Sequence, residues 1–174
     1  MSTHFFQGEI SQETIIPLIS MIDEDEEDVI DLYFSSEGGD MAMAEMFIDY
    51  LAVSPKDITL IGHWSLLSAA LEIYCRAVCT KRLLGDAYGM VHLVDRSISL
   101  RDTADKNSMD YFLSTEASAV NKRWLDEHKS FFTRKEIDRM KHGGEVYLRH
   151  ERPLEYVERF AYKIENDKVQ ESIP

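Results

Sequence analysis

A chain that sets a double glycine between a strand and a helix has few ways to continue. Here the β-branched and aromatic run Val29-Ile30-Asp31-Leu32-Tyr33-Phe34 leads into Ser35-Ser36-Glu37-Gly38-Gly39-Asp40, and the helical run Met41-Ala42-Met43-Ala44-Glu45-Met46-Phe47 follows. Glycine supplies the positive φ that so tight a turn requires. The turn leaves backbone N–H groups pointing outward at a helix N-terminus, where a negatively charged oxygen is favoured. Taken alone, the stretch reads equally well as an ordinary tight β–α connection.

What lies downstream narrows the reading. Ile58-Thr59-Leu60-Ile61-Gly62 reads as a second short strand, Ser68 opens the apolar helix Ala69-Ala70-Leu71-Glu72-Ile73-Tyr74, and Met90-Val91-His92-Leu93-Val94 reads as a strand ending near a histidine. Strands alternating with helices imply a parallel sheet built from β–α crossovers. The strand ends present a glycine turn, a serine and a histidine in that order. This constellation resembles the Clp-type proteolytic subunits, the ClpP family, within the wider ClpP/crotonase superfamily.

The resemblance runs from about Phe5 to Tyr156. Ser36-Glu37-Gly38-Gly39 matches the family's Ser-Pro-Gly-Gly turn, with Glu37 in place of proline. Leu66-Leu67-Ser68-Ala69-Ala70 and Lys81-Arg82 fit the family's nucleophile motif and the helix that ends at Lys-Arg, if two residues are inserted after Gly62. Met90-Val91-His92 matches Met-Ile-His, while Glu145-Val146-Tyr147-Leu148 and Leu154-Glu155-Tyr156 match the C-terminal pattern. The resemblance implies an α/β fold, a ClpP/crotonase-type spiral of β-β-α units with a protruding handle helix. It implies one domain over residues 1–174, with a head at about 4–94 and 134–165, a handle at about 95–133, and a tail at 166–174 with little to bury.

It also implies a chemistry, hydrolysis of peptide bonds by a serine peptidase that assembles into a homo-oligomeric ring and acts on peptides or unfolded protein without a cofactor. A serine hydroxyl is a weak nucleophile at neutral pH and needs a general base. Ser68 is the expected nucleophile, His92 the base, and Glu145 the acid that orients the histidine, with Asp138 and Asp95 as alternatives to Glu145. The backbone N–H groups of Gly39 and Ala69 form the expected oxyanion hole. Ser65 is the competing nucleophile if the insertion is placed differently. Trp64-Ser65-Leu66-Leu67 stands where the family has small residues, Ala70 where it has glycine, and Glu72 where it has an apolar residue. Asp40 sets a negative charge beside the oxyanion site unless it caps the following helix. Asp95-Arg96-Ser97 replaces the family's glycine-rich loop, and almost nothing before His4 corresponds to the segment that engages an ATP-driven unfoldase, so that partner is expected only in altered form. Two rival functions remain open: a non-catalytic scaffold subunit that keeps the fold, and a crotonase-type enzyme acting on acyl-coenzyme A. The Gly-x-Ser-x-Gly elbow and the His-Glu-x-x-His zinc motif are both absent from the sequence.

Charge bears on partners. The chain of 174 residues carries a formal charge of −13, and the imbalance falls within residues 1–60, where Lys56 is the single basic residue. Such a surface disfavours nucleic acid, which requires clustered lysine and arginine. The run Asp23-Glu24-Asp25-Glu26-Glu27-Asp28 reads as a solvated loop. No apolar run reaches the ~18 residues of a membrane span, and no signal pattern opens the chain, so a cytoplasmic protein is expected. Cys75 and Cys79, four apart on the helix after Ser68, read as buried thiols with no zinc partners.

The remaining elements follow from periodicity. A first strand at about His4 to Gln7 precedes a helix capped near Ser11, with Ile15, Ile16, Leu18, Ile19 and Ile22 as its apolar stripe. On the helix after the glycine turn, Met41, Met43 and Met46 are expected to join Phe47, Tyr50 and Leu51 in the core. Asp95 to Arg101 alternates like an exposed strand, and a long helix is predicted from about Thr103 to Phe132. A short helix with a Lys141-His142-Gly143-Gly144 turn and a charged helix around Tyr156, Phe160 and Tyr162 close the chain.

Overall fold

The computed structural model describes residues 1–93 and 109–161. The chain divides into two compact units, Met1–Met90 with the segment from Leu148 on, and Val91–Tyr147. The first unit opens with β1 (Ser2–Gln7), α1 (Gln12–Glu24), β2 (Val29–Ser36), α2 (Met41–Val53), β3 (Asp57–Leu67) and α3 (Ala69–Arg76). β4 (Thr80–Leu83), β5 (Tyr88–Val91), α4 (Met109–His128), α5 (Arg134–Lys141), β6 (Val146–Leu148) and α6 (Arg152–Phe160) follow. The strands form one sheet in the order β1-β2-β3-β5-β6, with β4 also paired to β3. The pairings of β1 with β2, β2 with β3, and β3 with β4 and β5 are all parallel.

One face of the sheet carries the core. Alternate residues of β2, Ile30, Leu32 and Phe34, are fully buried beside Ile58 and Leu60 of β3. Phe6, Phe34, Phe47 and Tyr50 stack in succession at centroid separations of 5.2, 6.3 and 6.1 Å, tying β1 and β2 to α2. Burial of each phenylalanine contributes roughly 2–3 kcal/mol. α1 buries Ile15, Leu18 and Ile22, the predicted stripe less Ile16, which faces solvent, and Ile19, which is half-buried. α2 buries Ala44, Phe47, Ile48 and Leu51, spaced three, four and seven residues apart on one helix face. Met41 and Met46 fall off that face and are exposed, so the expected methionine core is corrected.

Three further expectations change. β3 runs through Leu67 and does not stop at Gly62, because it pairs first with β4 through Gly62 and then with β5 from Ser65 to Leu67. Lys81 and Arg82 lie in β4, five residues past the end of α3 at Arg76, so α3 does not end at Lys-Arg. Cys79 accordingly lies beyond the helix that holds Cys75, and both are buried free thiols.

The acidic run is anchored rather than simply solvated. Lys56 Nζ donates to the carbonyls of Asp25 at 2.7 Å and Glu27 at 3.1 Å. The Glu27 N–H donates to Asp25 Oδ1 at 2.8 Å, and His4 Nε2 lies 2.6 Å from Asp25 Oδ2. The Glu27 amide, with help from His4, lowers the Asp25 pKa from 3.8 to about 2.

In the second unit, α4 spans Met109–His128; the predicted start at Thr103, the stretch Asp95–Arg101 and the tail lie outside the described residues, as does Tyr162. Trp124 stacks on His128 at 4.5 Å and approaches Phe132 at 5.8 Å as the chain turns. Thr133 and Glu136 then form a capping box that starts α5. Among the described residues no helix is long and apolar enough to cross a membrane.

Candidate functional site

The site begins at two strand-to-helix junctions of the first unit. At the first, Gly38 and Gly39 adopt φ of +96° and +143°. The Ile10 N–H donates to the Gly38 carbonyl and the Asp40 N–H to the Ile10 carbonyl, each at 2.8 Å, so the turn is stitched to the segment after β1. Neither glycine tolerates a side chain. A Cβ on Gly39 would lie 2.2 Å from the Ile10 carbonyl oxygen, and one on Gly38 would lie 2.7 Å from the Leu67 oxygen and 2.9 Å from Ser68 Cβ. The second of these close approaches sets the glycine turn directly against Ser68. Asp40 Oδ1 accepts from the Ala42 and Met43 N–H groups at 2.7 and 3.2 Å. Its charge is therefore spent on the N-terminus of α2, as the capping alternative anticipated.

At the second junction the strain falls on a serine. Ser68 has φ +53° and ψ −122°, a backbone region that costs a non-glycine residue roughly 1–3 kcal/mol. The surrounding backbone holds it there. The Ser68 N–H donates to the Met90 carbonyl at 2.8 Å, and the Ser68 carbonyl accepts from Leu71 and Glu72 at the start of α3. Although Ser68 occupies the N-cap position, its side chain makes no capping hydrogen bond. Ala69 is the first residue of α3, where an N–H has no partner inside the helix.

β3 is irregular just after Gly62. β2 and β3 pair at Phe34 with Gly62 and next at Ser36 with Leu66, so β3 carries two extra residues in this interval. Trp64 sits in the bulge at φ +55° with its side chain 61% exposed. Next to Trp64, Ser65 is buried, its Oγ 3.0 Å from Ser35 Oγ while its N–H donates to the same Ser35 oxygen at 3.2 Å. Ser35, Ser36 and Ser65 line a cavity of about 220 Å³ with Gly8, Glu9 and Glu37. The hydroxyl pair has no signature in the sequence, since it joins residues thirty positions apart.

Below Ser68, α3 buries Ile73, Tyr74 and Cys75. Burial, and then the nearby Glu72 carboxylate, push the Cys75 thiol far above its ordinary value, which leaves it inert as a nucleophile at neutral pH. Glu72 itself is half-buried. The other expected members fall in the second unit. His92 follows β5 and is half-buried, two residues along the chain from Met90. Glu145 precedes β6, is exposed, and accepts a hydrogen bond from the Tyr147 hydroxyl at 2.9 Å. Asp138 is exposed on α5, and its carbonyl lies 2.6 Å from His142 Nδ1. Asp95 lies outside the described residues. Among the described residues no group of three or more His, Cys, Asp or Glu side chains is placed to hold a metal ion.

Neither a protein-family model nor a curated protein sequence matches the chain. Among solved structures, it is similar to an asparagine-to-aspartate variant of ClpP1 from Listeria monocytogenes, with a TM-score of 0.61 and 19% identity over 88% of this chain and 86% of that one. The chain has a ClpP-like fold.

Proposed function

We propose that the chain is a ClpP-like serine peptidase that cleaves peptide bonds within an oligomeric ring. The observation that carries the proposal is the backbone of Ser68, a non-glycine residue held at positive φ beside the glycine turn and spared from capping duty. Local strain of this kind collects where a side chain must be presented for reaction.

In this reading Ser68 Oγ attacks the carbonyl carbon of a peptide bond while His92 takes its proton. The tetrahedral oxyanion is held by the N–H groups of Gly39 and Ala69, and loss of one such donor typically costs about 10²–10³ in rate. Collapse expels the amine, protonated by His92, and leaves an acyl-enzyme that water hydrolyses through the same histidine. Glu145 orients His92 and stabilises its charged form. Substrates are peptides or unfolded polypeptide, the working form is a homo-oligomeric ring, and an ATP-driven unfoldase is a candidate partner.

The test is hydrolysis of a fluorogenic peptide by protein shown by light scattering to be assembled. Ser68→Ala and His92→Ala are expected to abolish turnover, and Glu145→Gln to reduce it. Turnover that survives Ser68→Ala would end the proposal. A non-catalytic scaffold is the second reading, favoured by the half-buried carboxylate of Glu72 one helical turn beyond Ser68; it predicts assembly without turnover.

A further inference from the structure

A groove in the second unit carries charge opposite to that of the chain as a whole. Ser118, Lys122 and Leu125 of α4, with Lys129 in the turn just past its end, border a cavity of about 600 Å³. Within α4, Lys122 and Leu125 follow Ser118 by four and seven residues, the spacing of a single helix face. Ile137 and Lys141, one turn apart on α5, border it too, as does Leu93. The volume falls within the range of roughly 300–1,000 Å³ typical of ligand sites. Half-buried Leu93, Leu125 and Ile137 supply apolar surface between exposed lysine heads. Among the described residues Asp126 is the one carboxylate in the lining, and Lys129 engages it at 2.8 Å, so described lysines exceed carboxylates there by two.

We propose that this groove binds an acidic stretch of polypeptide. From Ser118 to the end of α4 at His128 the helix rises about 15 Å, the length of roughly four to five extended residues. The lysines match carboxylates on such a stretch, and the leucines and isoleucine cover its backbone and stems. Among the described residues no aromatic side chain lines the groove on which a nucleic-acid base could stack. Because Leu93 directly follows His92 in the chain, the acidic stretch is assigned to the substrate. That assignment rests on the peptidase reading, whereas the binding itself does not. With a net charge of −13, the chain repels acidic peptides in general, so any preference for one must be local.

The probe is a fluorescein-labelled hexaglutamate peptide, followed by anisotropy on the full chain carrying Ser68→Ala, with hexalysine and an uncharged peptide alongside. Hexaglutamate is expected to bind tightest, to weaken as salt rises, and to lose about tenfold in affinity with Lys122→Glu and Lys141→Glu together. Lys122→Gln and Lys141→Gln, milder changes at exposed positions, are expected to cause a smaller loss in the same direction. Binding no tighter than the uncharged peptide, or unaltered by either pair of substitutions, would overturn the proposal. So would displacement by a single-stranded oligonucleotide as readily as by unlabelled peptide. Failure of Ser68 to react with a serine-directed probe would sink the peptidase reading and leave this binding comparison standing.

Discussion

At two neighbouring places a parallel strand of this protein runs into a helix, and the two junctions are built in opposite ways. Between β2 and α2 the positive φ values fall on Gly38 and Gly39, and the side chain that follows, Asp40, caps the helix. Between β3 and α3 the positive φ falls on Ser68, whose side chain leaves the helix uncapped. The first junction takes the conformation at its lowest cost; the second keeps a side chain where glycine would be cheaper. Such a cost persists only where the surrounding structure imposes it, here through the Met90 carbonyl and the first turn of α3. Gly38 makes room for the serine, since the space it leaves open is bounded by Ser68 itself, whereas Gly39 makes room for the Ile10 backbone.

This contrast can be broken by substitution. The largest effect is expected from Gly39→Ala, because a methyl group 2.2 Å from the Ile10 carbonyl must move backbone. A loss of about 3 kcal/mol or more in denaturant unfolding is expected, and a variant as stable as the parent would show that the turn has slack. Ser68→Gly works in the other direction. It should raise stability over Ser68→Ala by roughly 1 kcal/mol through release of strain, while both substitutions remove the hydroxyl. If the glycine variant unfolded more easily than the alanine variant, Ser68 would not be strained. Asp40→Ala should cost about 1 kcal/mol through loss of the α2 cap, whereas the N-cap position of α3 has no such bond to lose.

The smallest effect is a pH dependence far from both junctions. Asp25 titrates at about 2 in the fold instead of 3.8, held down by the Glu27 amide and His4. A lowered carboxylate pKa gives stability that is complete above the ordinary value and disappears as pH falls towards the folded one. Thermal melts between neutral pH and pH about 2 should therefore show an acid-induced drop that Asp25→Asn flattens. Parallel curves for parent and variant would mean that the clasp on the acidic loop contributes nothing.

The alternation of apolar strands with helices made the parallel α/β layout legible from sequence. The two residues by which β3 outruns β2 between Gly62 and Leu66 were not legible, because a bulge with Trp64 exposed follows from β3 changing partners from β4 to β5, a long-range event. The exposure of Met41 and Met46 was missed for a simpler reason. Ala44 and Ile48 complete the buried face of α2, and small or branched residues weigh less in a reading that follows the largest side chains. The acidic run is largely exposed as read, but its anchoring was not legible, because His4 and Lys56 lie far from it in sequence. Ser68 could be named as a candidate, yet its backbone angles depend on packing against the glycine turn and on the Met90 carbonyl.

The most direct measurement is fluorophosphonate labelling of the assembled full chain, followed by intact mass and peptide mapping. The account predicts one label, on Ser68, lost with either Ser68→Ala or His92→Ala. A label on Ser65, or no label at all on protein shown to be assembled, would contradict it.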